Sequence, residues 1–491
     1  MSASFANPFK ALFKMTRVLL SAVAGGLLVL IIGAVIHLER RPDLKVWHTA
    51  ELDAEFTADS PVRTFEEYLD LEDVLFERLW KRVYARIERE DQRPINRYHP
   101  GSPADPARWT PNWNRSYQLP SDNPRCGVLL LHGMSDSPYS LRGLGQRLHA
   151  AGAWVVGLRL PGHGTAPGEL VSVHWRDMAA AVKLAAVHLQ ARTGNLPLYI
   201  LGYSNGGTLA VDYALRTARD SDFPGVRGLI LISPALGVTP LAALAVWQAR
   251  IGHLIGLEKL AWNSILPEYD PFKYQSFPVN AGDQVYRLTA DLQKRLRNAA
   301  ANQPDGDFPR VLAFQSVADA TVSTRAVVEG LFSQLPAGDH ELVLFDFNRH
   351  RDIDRLLLAR RLVGAPELLQ GPPRSFTISF VTNAAAHDPL VVVRRKRRNQ
   401  DDIQTMPLDL HWPAGVYSLS HVALPFSPDD PLYGVSGGTE NPGLRLGNIG
   451  LRGEKGVLQV PAADMLRLRW NPFYPFVEQR IVDFMSGPQQ P

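Results

Sequence analysis

The chain has 491 residues, and 52 Lys and Arg against 49 Asp and Glu leave a formal net charge of +3. With 45% hydrophobic and 21% charged residues it can bury a large core in two to three domains, or in one large domain with insertions; the charge gives no reason to expect nucleic acid. A single cysteine, Cys126, excludes an internal disulfide framework and a multi-cysteine zinc site, and it reads as a small core residue.

After an N-terminal tail (residues 1–17), Val18 to Leu38 carries no Lys, Arg, Asp or Glu. As a helix it would span roughly 32 Å, enough for the hydrocarbon core of a bilayer. It ends in "HLERRP", without the small-residue cleavage site of a secretory signal, so an uncleaved transmembrane anchor is expected. A buried core helix is the other reading. Lys10, Lys14 and Arg17 precede the segment, while Arg40, Arg41 and Lys45 follow it. The charge rule nearly balances, and the expected orientation keeps the short tail inside with the main body on the non-cytoplasmic side.

Residues 39–123 read as a linker and amphipathic helix region. Arg41 to Ser60 is polar, Thr64 to Glu90 has apolar residues at helical spacing, and Arg93 to Pro124 is rich in loop formers. From residue 124 the pattern changes to alternating strands and helices. "GVLLLHG", "AWVVGLRLPGHG", "LPLYILGYS", "VRGLILISPA" and "RVLAFQSVADATVS" read as strands, with "SLRGLGQRLHAAG", "WRDMAAAVKLAAVHLQARTG" and "GGTLAVDYALRTA" as helices between them. Repeated strand–helix units predict an α/β fold with a mostly parallel central sheet and helices on both faces, here over residues 124–485. About 236–302, helical and aromatic, is expected to be a cap over the carboxyl ends of the strands. About 370–410 reads as an insertion containing a hairpin, "SFTISFVTN" with "PLVVVRRKRR". The basic run Arg394 to Arg398 reads as a solvated strand end, with anionic lipid head groups as the alternative contact.

The pattern G-x-S-x-G occurs twice, around Ser204 and around Ser436. A chance match in a chain this long has odds on the order of one in five. Ser204 follows a strong apolar strand and precedes a helix with Gly206, Gly207 and Ala210, the setting of a nucleophile elbow. Ser436 follows "PFSPDDPLY" and precedes "TENPG", and is read as loop. An elbow needs a backbone donor after its nucleophile and another after an earlier strand. Asn205 and Met134, the latter in "LLLHGMSDSP", supply the two expected oxyanion-hole N–H groups. His132 and His163 read as loop architecture.

Three segments, "LLLHGMSDSPYSLRGLGQRLHAAGAWVVGLRLPGHGTAPGEL", "LYILGYSNGG" and "SVADATVS", resemble the carboxylesterase and monoacylglycerol lipase branch of the α/β-hydrolases. The resemblance covers about Gly127 to Asp346. It implies an α/β-hydrolase fold and a triad in the chain order Ser, Asp, His. Asp319 stands just after a strand, in the turn that resembles the family's acid position; Asp305 and Asp307 precede that strand. For the base, spacing favours His350, 31 residues after Asp319, whereas local chemistry favours His421 in "SLSHVALP", which resembles the family's base-bearing turn. His421 is the preferred base and His350 the alternative.

The resemblance implies a serine hydrolase acting on a carboxylic ester through an acyl-enzyme, with no cofactor and no metal, and the apolar segment Val18 to Leu38, outside the resemblance, makes it a membrane-anchored one. The apolar cap suggests an apolar acyl chain, as in a monoacylglycerol or lysophospholipid. A peptidase, thioesterase or acyltransferase could use the same triad, and a non-catalytic membrane-tethered scaffold is the reading from another class. Acyl-chain length and oligomeric state have no signal in the sequence.

Overall fold

Short, continuous apolar runs become buried strands because both faces of a mostly parallel sheet are covered by helices. The computed structural model describes residues 38–217, 220, 222–237, 258–302, 308–349, 365–386, 388–435, 444–447 and 466–487, with isolated positions (15–17, 19–22, 25–26, 29, 33 and 463) outside these spans. In chain order the main elements are α1 (Phe65–Arg82), β1 (Tyr117–Leu119), β2 (Cys126–Leu131), α2 (Arg142–Ala150), β3 (Ala153–Leu158), α3 (Trp175–Thr193), β4 (Leu198–Tyr203), α4 (Asn205–Thr217) and β5 (Gly228–Ile232). They continue with β6 (Trp262–Ser264), β7 (Phe277–Pro278), α5 (Val279–Asn302), β8 (Arg310–Ser316), α6 (Thr324–Gly330), β9 (Glu341–Phe345), β10 (Thr377–Asn383), β11 (Leu390–Lys396), β12 (Ile403–His411) and α7 (Tyr474–Ser486).

Ten strands form one sheet in the order β1-β3-β2-β4-β5-β8-β9-β10-β11-β12. Every pairing from β3 across to β10 is parallel, and the antiparallel pairs lie at the two margins. All residues of β2, β4 and β5 are buried. One core lies under α3, α4 and α5, around Leu129, Ile200, Leu231 and Ala313; the other lies under α2 and α7, around Leu130, Leu201, Ile232 and Phe314. Each aliphatic side chain fully buried there contributes about 1.5–3 kcal/mol.

Three expectations change. Arg41 to Ser60 is not a free linker: Trp47, Leu52 and Phe56 are buried. The segment is also tied down by polar contacts. Arg41 donates to the carbonyls of Lys259 and Trp262 (both 2.7 Å), and the Leu52 N–H donates to Glu169 (3.0 Å). A few buried apolar residues, which composition averages away, and these polar contacts together hold the segment on the body. Second, α1 stops at Arg82 and two short 3-10 turns follow, because Val83 turns inward to bury beside Trp47 and Tyr98. Third, the expected cap to residue 302 narrows. Within α5, Ala281, Val285, Leu288, Leu292 and Leu296 bury in the main core, making it a crossover helix of the sheet. The described remainder is Leu236, buried in the same core, with Gly237, and residues 258–278, with the two-stranded β6–β7 piece.

The hairpin expected within 370–410 is β10 and β11; it extends the sheet and is itself extended by β12. The basic run at its end is partly neutralised: Arg395 pairs with Glu341 (3.3 Å), Lys396 with Asp401 (3.2 Å) and Arg398 with Asp339 (3.6 Å). Most of Val18 to Leu38 lies outside the described residues. Among those described, no helix is long and apolar enough to cross a membrane.

Candidate active site

Strand β4 ends at Tyr203, helix α4 starts at Asn205, and Ser204 alone makes the turn. Its φ is +52°, the left-handed region that non-glycine residues enter at a cost of order 1–3 kcal/mol. Surrounding contacts hold it there. The Ser204 N–H donates to Ile232 C=O (2.9 Å), and its C=O accepts from the N–H groups of Gly207 and Ala235 (both 3.0 Å). The turn is also too tight for side chains at its neighbours. A Cβ on Gly202 would stand 2.4 Å from the Gly206 carbonyl oxygen, and one on Gly206 would stand 2.0 Å from that of Leu131.

The loop after β2 packs against this turn. His132 is buried, its Nδ1 donating to Gly133 C=O (2.8 Å) and its Nε2 accepting from the Leu160 N–H (3.0 Å). Burial, then the neighbouring His163, hold the His132 pKa well below the usual range, so the ring is neutral. It braces the β2 loop against the β3 loop, and His163 packs on it with ring centroids 4.9 Å apart. Met134 follows on the same loop, half-buried, as is Ser204, amid buried neighbours. Asn205 is buried at the amino end of α4, where backbone N–H groups and the helix dipole favour negative charge.

Asp319 and His421 lie 102 residues apart in sequence and meet in space: His421 Nδ1 is 2.8 Å from Asp319 Oδ2. Asp319 sits in the turn after β8 and also accepts from the N–H groups of Thr321 (2.8 Å) and Val322 (2.9 Å), and from Gln315 Nε2 (3.1 Å). Burial is the largest influence and opposes its charge, but the interaction with His421 and the backbone N–H groups of Val322 and Thr321 together outweigh it, so its carboxyl lies below the ordinary range. His421 opens a short 3-10 turn and is 5% exposed. The strand-like run before it is anchored to the ends of β8 and β9. Ser316 Oγ donates to Leu419 C=O (2.8 Å), the Asn348 N–H to Tyr417 C=O (2.8 Å) and Asn348 Nδ2 to Val416 C=O (2.8 Å). The imidazole packs on the Tyr203 ring, centroids 5.3 Å apart, directly before Ser204.

Thus the structure places His421 beside Asp319 and against the Ser204 turn, with Met134 and Asn205 flanking it. Ser204 and His421 share no hydrogen bond; such contacts are often long without substrate and tighten in its complex. His350, Ser436, Asp305 and Asp307 lie outside the described residues. Sequence reasoning missed Tyr203, which carries the imidazole, and Lys273, 2.6 Å from Asp136 on the β2 loop. Tyr203 lies within the quoted motif, but Lys273 had no signal, because its partner is 137 residues away. Among the described residues, Glu88, Glu90 and Asp91 come close enough together to hold a metal ion, and the Lys45 ammonium already occupies that cluster.

Comparison with known proteins bears on the family. The family described as "Serine aminopeptidase, S33" matches residues 122–353. A thermostable monoacylglycerol lipase of Bacillus sp. strain H-257 is 27% identical over 176 residues, 36% of this chain and 66% of that protein. The phospholipase YtpA of Bacillus subtilis strain 168 is 25% identical over 232 residues, 45% of this chain and 79% of that protein. Among solved structures, a Paleococcus ferrophilus monoacylglycerol lipase is 20% identical, with a TM-score of 0.36, over 47% of this chain and 89% of that one. The sheet order, the serine turn between β4 and α4, the family match and the two curated relatives agree on a serine hydrolase of the α/β-hydrolase type, similar to carboxylesterases and monoacylglycerol lipases.

Proposed function

We propose that the chain cleaves carboxylic esters through an acyl-enzyme on Ser204. The observation that carries this reading is the strained Ser204 turn with the buried His421–Asp319 pair packed against it. In the proposed cycle His421 takes the Ser204 proton as Oγ attacks the ester carbonyl carbon. The N–H groups of Met134 and Asn205 receive the oxyanion. Collapse expels the alcohol, which leaves with the proton from His421. A water then adds to the acyl carbon, giving its proton to His421, and Ser204 regains a proton as the acid departs. Asp319 holds the imidazole tautomer and stabilises the imidazolium.

The substrate we infer is a lipid ester with an apolar acyl chain, such as a monoacylglycerol or lysophospholipid. Support comes from the names of the two curated relatives, a monoacylglycerol lipase and a phospholipase. We further infer that Val18 to Leu38 anchors the protein, with the catalytic body on the non-cytoplasmic side. The length and apolar character of that segment support this. The aminopeptidase description of the matching family favours a second reading, a peptidase using the same residues.

A fluorophosphonate probe tests the central claim. The purified wild type is expected to be labelled, and Ser204→Ala to lose both labelling and ester turnover. An unlabelled wild type would overturn the proposal. Parallel panels of short- and long-chain esters and of peptide amides decide between the two substrate classes.

A further inference from the structure

A buried charge lies against the proposed oxyanion loop. Gly133 to Asp136 forms a tight turn: the Asp136 N–H donates to Gly133 C=O (3.2 Å), and Ser135 takes φ +66°. A positive φ at the third residue is that of a type II turn. The turn folds the Asp136 carboxylate back over Gly133. The point where a Gly133 Cβ would stand is 2.5 Å from Asp136 Oδ2 and 3.2 Å from the Ser204 Cβ. Carboxylate and serine carbon are therefore separated by no more than the sum of those distances. Asp136 is 6% exposed, so water screens it little. Its field reaches the site: burial, and after it the Asp136 charge, push the Tyr203 phenol well above its usual pKa.

A bare carboxylate there opposes the reaction, because the tetrahedral intermediate develops negative charge on the same loop. Lys273 supplies the opposite charge, its Nζ 2.6 Å from Asp136 Oδ1. The segment that carries Lys273 is itself fastened to the loop. The Tyr274 N–H donates to Ser135 C=O (2.8 Å), and the Tyr274 hydroxyl accepts from the Thr165 N–H (2.7 Å). Next to it, the Phe272 ring stacks on Tyr139, just beyond the turn, with centroids 4.1 Å apart.

We propose that Lys273 is a positioning residue of the hydrolase. It neutralises Asp136 and pins the Gly133–Asp136 turn, so that the Met134 N–H meets a developing oxyanion without an opposing charge. The proposal rests on the ester-hydrolase reading above. It ties the charge carried by the segment before α5 to the chemistry at Ser204.

The test uses the full chain with p-nitrophenyl butyrate as substrate and an aryl boronic acid as inhibitor, whose adduct with the serine is a tetrahedral anion. In Lys273→Met, kcat is expected to fall on the order of 30-fold with KM held within about twofold, and boronate affinity to fall in parallel. Lys273→Arg keeps kcat within about threefold of wild type, since it retains the charge. The double variant Lys273→Met with Asp136→Asn, which removes both charges, recovers kcat to within about fivefold. A Lys273→Met enzyme with wild-type kcat, a double variant as slow as the single one, or a fall in kcat without loss of boronate affinity would each overturn the proposal. Should Lys273→Met not fold, the double variant and Lys273→Arg decide it: near-wild-type kcat and boronate affinity in both support it, and a loss in either overturns it. A wild type that turns over no ester refutes the hydrolase reading itself, a result distinct from any of these.

Discussion

The two halves of the candidate site are built in different ways. The Ser204 half is local: a one-residue turn between β4 and α4, backed by the loop after β2 and held by hydrogen bonds to the end of β5, the residues just after it and the first turn of α4. The His421 half is remote. Its turn comes after β10, β11 and β12, and it reaches Asp319 because Ser316 and Asn348, at the ends of β8 and β9, hold residues 416–419 by hydrogen bonds. The difference teaches that an extra stretch of sheet need not displace a proposed base. It can be inserted before the base as long as the chain returns to the ends of the same strands.

Removing the histidine breaks this comparison most severely. His421→Ala is expected to lower kcat by about 10³- to 10⁴-fold, with fold retained by circular dichroism, while His350→Ala leaves ester turnover within about twofold. The reverse result would assign the base to His350 and make the extension a mere appendage. A stability measurement probes the local half next. Gly206→Ala puts a Cβ at 2.0 Å from the Leu131 carbonyl oxygen, so it should cost about 3 kcal/mol or more in denaturant unfolding, if the variant is recovered at all. Wild-type stability would show that the turn has room the geometry denies it. The anchor of the remote half should give the mildest effect. Ser316→Ala leaves the buried Leu419 carbonyl without its donor, costing about 1–3 kcal/mol of stability and roughly tenfold in kcat. An unchanged kcat would mean that the histidine turn is held by its other contacts alone.

Much of the sheet was legible in the sequence. Strands such as Leu198–Tyr203 are unbroken apolar runs, and the residues that end them are glycines or turn formers. Ser204 and its small neighbours could be read because an elbow imposes its demands within a few residues. Asp319 could be read as a turn after a strand. Other features could not. The segment 41–60 reads as polar, yet Trp47, Leu52 and Phe56 find cavities made by remote parts of the chain. Residues 279–302 have the aromatic and helical character of a cap, but which surface a helix covers depends on what else is free to pack against it. Strand β12 sets Met406, Leu408 and Leu410 on one half-buried face, but Pro407 inside the run argues against a strand anywhere except at a sheet edge, which is where the fold puts it.

The sequence by itself determined the fold class, the succession of strands and helices after residue 124 and the identity of the candidate serine, because these follow from periodicity and from contacts within a few residues. Only the tertiary structure decided that His421 lies 2.8 Å from Asp319, that the segment after residue 41 is part of the body, and that Lys273 pairs with Asp136. The physical reason is common to all three. Each is a contact between groups about 100 residues or more apart, made by hydrogen bonds and charges whose partners are set by packing, and spacing along the chain carries no record of that packing.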